Sequence, residues 1–285
     1  MDTNKKTLQS LGAPWVTARS AELFDWAPGQ VLKLFHAGFP AEAAHWEREN
    51  LQEAHALGVT QVRCYGEVEV EGRRGLILQK IPGKTLTAWA DTNPLNFFAL
   101  PRALARLHAQ VHGGETQKLR DIKTIIGECL ALPSMDFLSG SDKDALLSYV
   151  AQLPNGNTLL HLDFHTDNIL KSKEVETVID WATAARGAVG ADLAMTYFLF
   201  TEAELFPGIT RFQEILYNTA RKFIYRRYFQ HYLALRGLEA ADVMAQIQAW
   251  YLPIIVYRLA TWQATTEVAR LQKKILEAVH ALPSA

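Results

Sequence analysis

The patterning of the chain changes once, at Pro82-Gly83, and that change constrains the fold more than any other feature. Before it, strand signals dominate. Val31-Leu32-Lys33-Leu34-Phe35 is a short apolar run preceded by the turn pair Pro28-Gly29. Glu67-Val68-Glu69-Val70 alternates, Glu71-Gly72 supplies a turn, and Gly75-Leu76-Ile77-Leu78 reads as a buried strand. One helix interrupts them: Ala41 to Leu57 carries Ala44, Leu51 and Ala54 at helical spacing and stops at Gly58. After Pro82-Gly83, helices dominate: Phe97 to Val111, Ser141 to Leu153 with Ser141 and Asp144 as a capping pattern, and Glu202 to Leu282. A strand-rich stretch from Leu159 to Ile179 lies between them. The expectation is an α+β chain with a small β-rich lobe over residues 1–82 and a larger, mainly helical lobe over 83–285.

Composition narrows the partners. The chain has 285 residues, long enough for two small domains around a cleft, and 49% of them are hydrophobic, enough to bury a full core. With 29 Lys plus Arg against 30 Asp plus Glu, there is no electrostatic case for nucleic acid or an anionic membrane as the main partner. Cys64 and Cys129 form no CxxC pair, which fits two reduced thiols in a cytoplasmic protein. The first residues are followed by no apolar run of signal-peptide length. Ala249 to Trp262 is apolar but short and holds Arg258, so it reads as a buried helix, not a membrane span.

The chemistry is concentrated in Leu160-His161-Leu162-Asp163-Phe164-His165-Thr166-Asp167-Asn168-Ile169-Leu170, followed by Val178-Ile179-Asp180-Trp181. Phosphoryl transfer needs a carboxylate to orient the attacking hydroxyl and oxygen ligands to hold Mg²⁺ against the phosphates. Asp163 and Asn168 sit on one short loop, and two strands joined by a tight turn would return Asp180 to the side of Asn168. A polar surface hairpin with scattered carboxylates would show the same letters H-x-D-x-x-x-x-N, but not these apolar flanks or the Ile-Asp-Trp at this distance.

This segment resembles the catalytic loop of the aminoglycoside phosphotransferase and choline kinase-like family, relatives of protein kinases with the same two-lobed fold. The family pattern is H-G-D-x-H-x-x-N-I-L followed by I-D-W; here Leu162 stands where Gly is common and Thr166 where Pro is common. The resemblance implies that Asp163 is the catalytic aspartate, that Asn168 and Asp180 bind magnesium, and that His161 braces the loop. His165 either touches the transferred phosphate or packs within the loop. Ala191-Asp192-Leu193-Ala194 matches a further family element, in which Asp192 holds the loop backbone without being catalytic.

A lysine inside an apolar strand is expensive unless an acid neutralises it. Lys33 is such a residue, and Glu47 shares the inward helix face of Ala44, Leu51 and Ala54, with Glu49 as the less favoured partner. Lys33 resembles the kinase lysine that holds the α and β phosphates of ATP. Leu78-Gln79-Lys80-Ile81-Pro82-Gly83 resembles the hinge that binds adenine, which implicates Gln79 and Ile81. Val16-Thr17-Ala18-Arg19-Ser20 stands where relatives carry a glycine-rich turn over the phosphates, and it contains no glycine. Arg19 or Ser20 is then expected to contact phosphate directly.

The expected activity is transfer of the γ-phosphate of ATP, with Mg²⁺, to a hydroxyl of a small molecule. Two other readings stand beside it. A protein kinase needs a long segment after the metal-binding aspartate as a peptide platform, and only eleven residues separate Asp180 from Asp192, with neither H-R-D nor D-F-G present. A nucleotide-binding scaffold without turnover draws support from the glycine-free turn alone, since Lys33, Glu47, Asp163, Asn168 and Asp180 fill every expected polar role. The acceptor pocket is expected between the catalytic loop and the helices of residues 203–285. Counted from Glu202, that region has ten Lys plus Arg and seven acids, a balance that does not favour a polycationic acceptor.

Overall fold

The computed structural model describes residues 6–205 and 208–282. In chain order the elements are α1 (Leu8–Leu11), β1 (Val16–Thr17), β2 (Ala21–Ala27), β3 (Gln30–Phe35), α2 (Ala41–Ala56), β4 (Cys64–Val70), β5 (Arg73–Gln79), β6 (Lys84–Thr85), α3 (Leu86–Ala90) and α4 (Pro94–Val111). They continue with α5 (Ile122–Cys129), α6 (Gly140–Gln152), β7 (Thr158–Leu160), β8 (Ile169–Lys171), β9 (Glu176–Val178) and β10 (Ala185–Gly187). The last helices are α7 (Val189–Thr201), α8 (Arg211–Arg236), α9 (Ala240–Trp262) and α10 (Thr265–His280). The chain is α+β, with an antiparallel sheet early and helices late, as its patterning predicts.

Among the described residues, 6–89 pack with 167–184 into one compact unit, and 90–166 pack with 185–282 into a second. The first unit is built on a five-stranded antiparallel sheet in the order β1-β2-β3-β5-β4, which makes β3 a central strand. Successive side chains of a strand face opposite sides. Leu32 and Leu34 accordingly join Phe24 and Val70 on one face, while Phe35 joins Ala21, Leu76 and, from α2, Ala44 on the other. Lys33 therefore lies on the α2 face. α2 ends at Ala56 with Leu57 as its C-cap, and Gly58 follows at φ 72°, a left-handed stop that costs glycine nothing.

The single cut expected at 82/83 does not follow this packing. Lys84 and Thr85 of β6 pair with Lys171 and Leu170 of β8, and β8 pairs with β9, so the hairpin of residues 169–178 groups with the first unit. Gly83 has φ 138°, and a Cβ there would lie 2.6 Å from the Lys171 carbonyl oxygen. Glycine at 83 thus serves a close backbone approach within the first unit.

In the second unit α4 packs along α8, and α7 packs on α9. Its core includes Leu104, Ile126, Leu146, Phe198, Trp250 and Ile254, each at most 1% exposed. Three expectations need correction here. Helix α6 is capped by Ser139 and Asp142, not by Ser141 and Asp144: the Asp142 N–H donates to the Ser139 hydroxyl, and the Ser139 N–H donates to the Asp142 carboxylate. Both pairs read Ser-x-x-Asp, and the earlier one closes the box. Helix α5, capped by Asp121, lies between the helices read from the sequence. The helix expected from Glu202 opens only at Arg211, because α7 ends at Thr201 and a non-helical stretch, interrupted by the undescribed residues 206 and 207, follows it. No helix among the described residues is long and apolar enough to cross a membrane.

Candidate active site

The first unit carries a buried charge cluster. Lys33 Nζ lies 2.6 Å from Glu47 Oε1 and 3.2 Å from Asp180 Oδ1. Burial opposes the lysine's charge, but the carboxylates of Asp180 and Glu47 outweigh it and raise its pKa. Burial together with Asp180 raises Glu47, against the pull of Lys33. Glu49 instead bonds Arg48, so the partner chosen from helical spacing is the one the fold selects. Lys33 is no solvent-exposed edge lysine: it is 7% exposed and flanked by Leu23 and Leu76 on neighbouring strands.

Asp180 is fixed by its hairpin. Ile169 pairs with Val178, and the Ile179 N–H donates to the Asn168 carbonyl, so strand register brings Asp180 back to Asn168 as expected. The Thr60 hydroxyl donates to the Val178 carbonyl at 2.6 Å, and Asn50 Nδ2 donates to the Trp181 carbonyl at 3.0 Å. The Asp180 backbone is held from both sides at φ 60°, a left-handed conformation that Asp adopts more readily than most residues. Its side chain is 43% exposed, with Oδ1 on Lys33, and Asn168 is buried. A carboxylate and an amide oxygen, both hard donors, fit a divalent ion such as Mg²⁺.

The other nucleotide-side residues are placed as follows. Arg19 and Ser20 lie in the tight turn between β1 and β2, closed by the Ala18 N–H on the Ala21 carbonyl. Arg19 is exposed and Ser20 half-buried, and His36 braces the turn, its backbone N–H donating to the Ser20 carbonyl and its ring Nε2 lying 2.9 Å from the Ala18 carbonyl. The Gln79 N–H is already committed to the Arg63 carbonyl, and Lys80's to Gly29. The Ile81 N–H takes no backbone acceptor among the described residues.

The second unit carries the loop of Asp163. The Asp192 carboxylate accepts the His161 N–H on Oδ2 at 2.6 Å and the Leu162 N–H on Oδ1 at 2.9 Å, which is the backbone-holding job the family element implies. His161 braces the loop in turn, its Nδ1 accepting the Asp163 N–H. His165 Nε2 lies 3.5 Å from Asp163 Oδ2. Burial would raise the Asp163 pKa, but His165, His161 and Arg258 outweigh it and hold it below the usual carboxylate value.

Leu162 sits at φ 59°, in the region where the family's glycine is at ease, and it is 1% exposed. The left-handed backbone costs a leucine about 1–2 kcal/mol, whereas emptying a buried leucine site costs about 2–5 kcal/mol. Packing therefore wins. Leu162→Gly is expected to lower stability by up to about 4 kcal/mol in chemical denaturation, and a more stable variant would show that backbone strain dominates.

A cavity of about 310 Å³ in the second unit is lined by Glu202, Glu204, Glu214, Glu267, Arg221 and Arg270, among others. Its acids outnumber its arginines, the reverse of the regional count. Glu202 is matched by Arg270 and Lys274, and Glu267 by Arg258. None of its lining residues belongs to the loop of Asp163. Sequence reading missed a further set: His108, His112, Tyr228 and Tyr232, all buried around Asp192. Their signal was available as two pairs at helical i,i+4 spacing, on α4 and on α8.

The fold is that of a protein-kinase-like phosphotransferase. The model of the phosphotransferase enzyme family matches residues 23–238, and the chain belongs to this family. Among solved structures it is similar to the aminoglycoside phosphotransferase APH(4)-Ia at 15% identity, covering 95% of this chain and 94% of that one with a TM-score of 0.63. An amicoumacin kinase is similar at 14% identity over 94% and 91%, TM-score 0.59. APH(2")-IIa, solved in a ternary complex with streptomycin and ATP, is similar at 13% over 93% and 90%, TM-score 0.54. Comparison with curated protein sequences finds no match.

Proposed function

We propose that this enzyme transfers the γ-phosphate of ATP to a hydroxyl group of a small molecule. The observation that carries the reading is the Glu47–Lys33–Asp180 cluster: a buried ammonium held ionised between two carboxylates, one still partly exposed. Lys33 holds phosphate oxygens in this reading, and Glu47 keeps it in place. Asn168 and Asp180 hold Mg²⁺, which when bound neutralises charge on the phosphates. Gln79 and Ile81 are the adenine contacts, and Arg19 and Ser20 lie on the turn that covers the phosphates. Asp163 orients the acceptor hydroxyl and takes up its proton, with His165 beside it keeping the carboxylate ionised. The APH(4)-Ia structure has been solved with AMP-PNP and hygromycin B, and the amicoumacin kinase with AMP-PNP and Ca²⁺, which supports a nucleotide triphosphate as donor. Two free cysteines, Cys64 and Cys129, fit a reducing, cytoplasmic setting.

The test is ADP formation from ATP with Mg²⁺ and a panel of alcohols: aminoglycosides, macrolides, amino-alcohols, choline-like amines and sugars. Turnover stimulated by one class identifies the acceptor. Nucleotide binding with no turnover on any acceptor or water would replace the reading by a scaffold. Asp180→Asn is expected to weaken Mg²⁺-ATP at least about tenfold while leaving metal-free ATP nearly unchanged, because the lost ligand acts through the metal. Equal losses in titrations with and without Mg²⁺ would make Asp180 a structural residue.

A further inference from the structure

Two helices remote in sequence converge on the loop of Asp163. His108 and His112 lie one turn apart on α4, and Tyr228 and Tyr232 lie one turn apart on α8. Each pair makes the same contact: His108 Nδ1 is 2.7 Å from the Tyr228 hydroxyl, and His112 Nδ1 is 2.8 Å from the Tyr232 hydroxyl. His112 Nε2 and His108 Nε2 each lie 3.2 Å from Asp192 Oδ2, the oxygen that accepts the His161 N–H. On the other side of Asp163, the Phe164 ring stacks on His108 at 4.0 Å and 9°. His108, Asp192, Tyr232 and Phe164 are 0% exposed, Tyr228 1% and His112 3%. Asp163 is thus bracketed: residues 161 and 162 hang from Asp192, residue 164 rests on His108, and both supports lead to α4.

The protons of this cluster are set by chemistry. Burial opposes the Asp192 charge, but the histidines outweigh it and hold the carboxyl well below its usual range, so it accepts only. A neutral imidazole carries one N–H. If His112 Nε2 donates to Asp192, its Nδ1 is the nitrogen left to accept the Tyr232 hydroxyl proton. Burial raises both tyrosines, so each keeps the proton it donates. Burial also lowers His108 to about 3, with help from His112 beside it and against the pull of Asp192. Tyr232 thus favours the His112 tautomer whose Nε2 donates to Asp192, while Tyr228 anchors the His108 ring that stacks on Phe164.

We infer that the pairs His108–Tyr228 and His112–Tyr232 are positioning residues, which set the place of Asp163 through Asp192 and Phe164 without touching substrate. The inference rests on the proposed role of Asp163. A displaced catalytic group loses rate far more than it loses nucleotide affinity, and an error of about 1 Å can cost about 10²-fold.

The experiment measures MgATP hydrolysis to water, normalised to nucleotide-binding sites, for Tyr232→Phe, His112→Ala, His112→Gln and Asp163→Ala. Normalisation removes any loss of folded protein, which is all that a merely structural role would cause. Tyr232→Phe is expected to lower kcat about tenfold and His112→Ala about 10²-fold, with KM for ATP within about twofold. His112→Gln, which retains an N–H donor toward Asp192, is expected to recover a large part of the rate. Unchanged kcat per site in Tyr232→Phe, with Asp163→Ala inactive, overturns the inference; this near-isosteric variant decides the matter even if His112→Ala does not fold. An active Asp163→Ala overturns the catalytic reading instead. The cluster also brings three side chains of metal-ligating type, His108, His112 and Asp192, within 4.8 Å of one another, so a stoichiometric transition metal that is lost in His112→Ala would overturn the hydrogen-bonded arrangement.

Discussion

Asp163→Ala is expected to abolish phosphoryl transfer while leaving the fold and ATP binding nearly intact. In the proposed reading Asp163 acts on the hydroxyl nucleophile, whereas the charge cluster proposed for the nucleotide is Lys33, Glu47 and Asp180. A positioned base is worth about 10²–10⁴-fold, so a variant keeping more than about a tenth of the wild-type rate would remove Asp163 from the mechanism. The fold should tolerate the change, because Arg258, one of the cations that steady Asp163, keeps Glu267 as its ion-pair partner at 3.0 Å. The pKa of Asp163 adds a second readout. A depressed carboxyl is in its base form at every pH above its ordinary value of 3.8 and is lost only as pH falls through the lower folded value. The acid limb of a pH–rate profile that belongs to Asp163 should therefore lie below that ordinary value. A limb near neutral pH belongs to another group.

Much of this arrangement was legible because it is written locally. Strand alternation placed Lys33 between apolar neighbours, helical spacing chose Glu47 over Glu49, and the hairpin between Asn168 and Asp180 spans a handful of residues. Asp192 was readable as a holder of the loop, and its two backbone bonds show that job directly. What stayed hidden depends on tertiary packing. The His–Tyr pairs are separated by 120 residues and become neighbours only because α4 packs along α8. A leucine letter at 162 does not announce a positive φ, since the conformation is imposed by the bonds on either side of it. The packing of residues 167–184 with the early strands was invisible to a single cut, because it arises from β6 pairing and the close approach at Gly83. Ser139 and Ser141 offered the same capping letters, and only the helix start distinguishes them.

Lys33 and Glu47 are expected to behave as one unit. Their heads are 2.6 Å apart and nearly buried, so removal of either leaves a charge in a place where water cannot solvate it. Breaking such a pair costs about 3–5 kcal/mol of stability, and the second removal then costs less than the first. The two single variants should not be equal. Without Lys33, Glu47 and Asp180 face each other with no cation between them, so Lys33→Met creates like-charge repulsion as well as losing a proposed phosphate contact. Without Glu47, Lys33 still has Asp180 at 3.2 Å. Lys33→Met should therefore lose more kcat/KM for ATP than Glu47→Gln, and the double variant should fall short of the sum by at least about 1 kcal/mol. A double-mutant cycle on kcat/KM, with denaturation measured in parallel, decides it. Additivity within about 0.5 kcal/mol would dissolve the pair. Coupling of Lys33 to Asp180 in place of Glu47 would mean that the aspartate alone keeps the ammonium charged and that Glu47 serves the packing of α2.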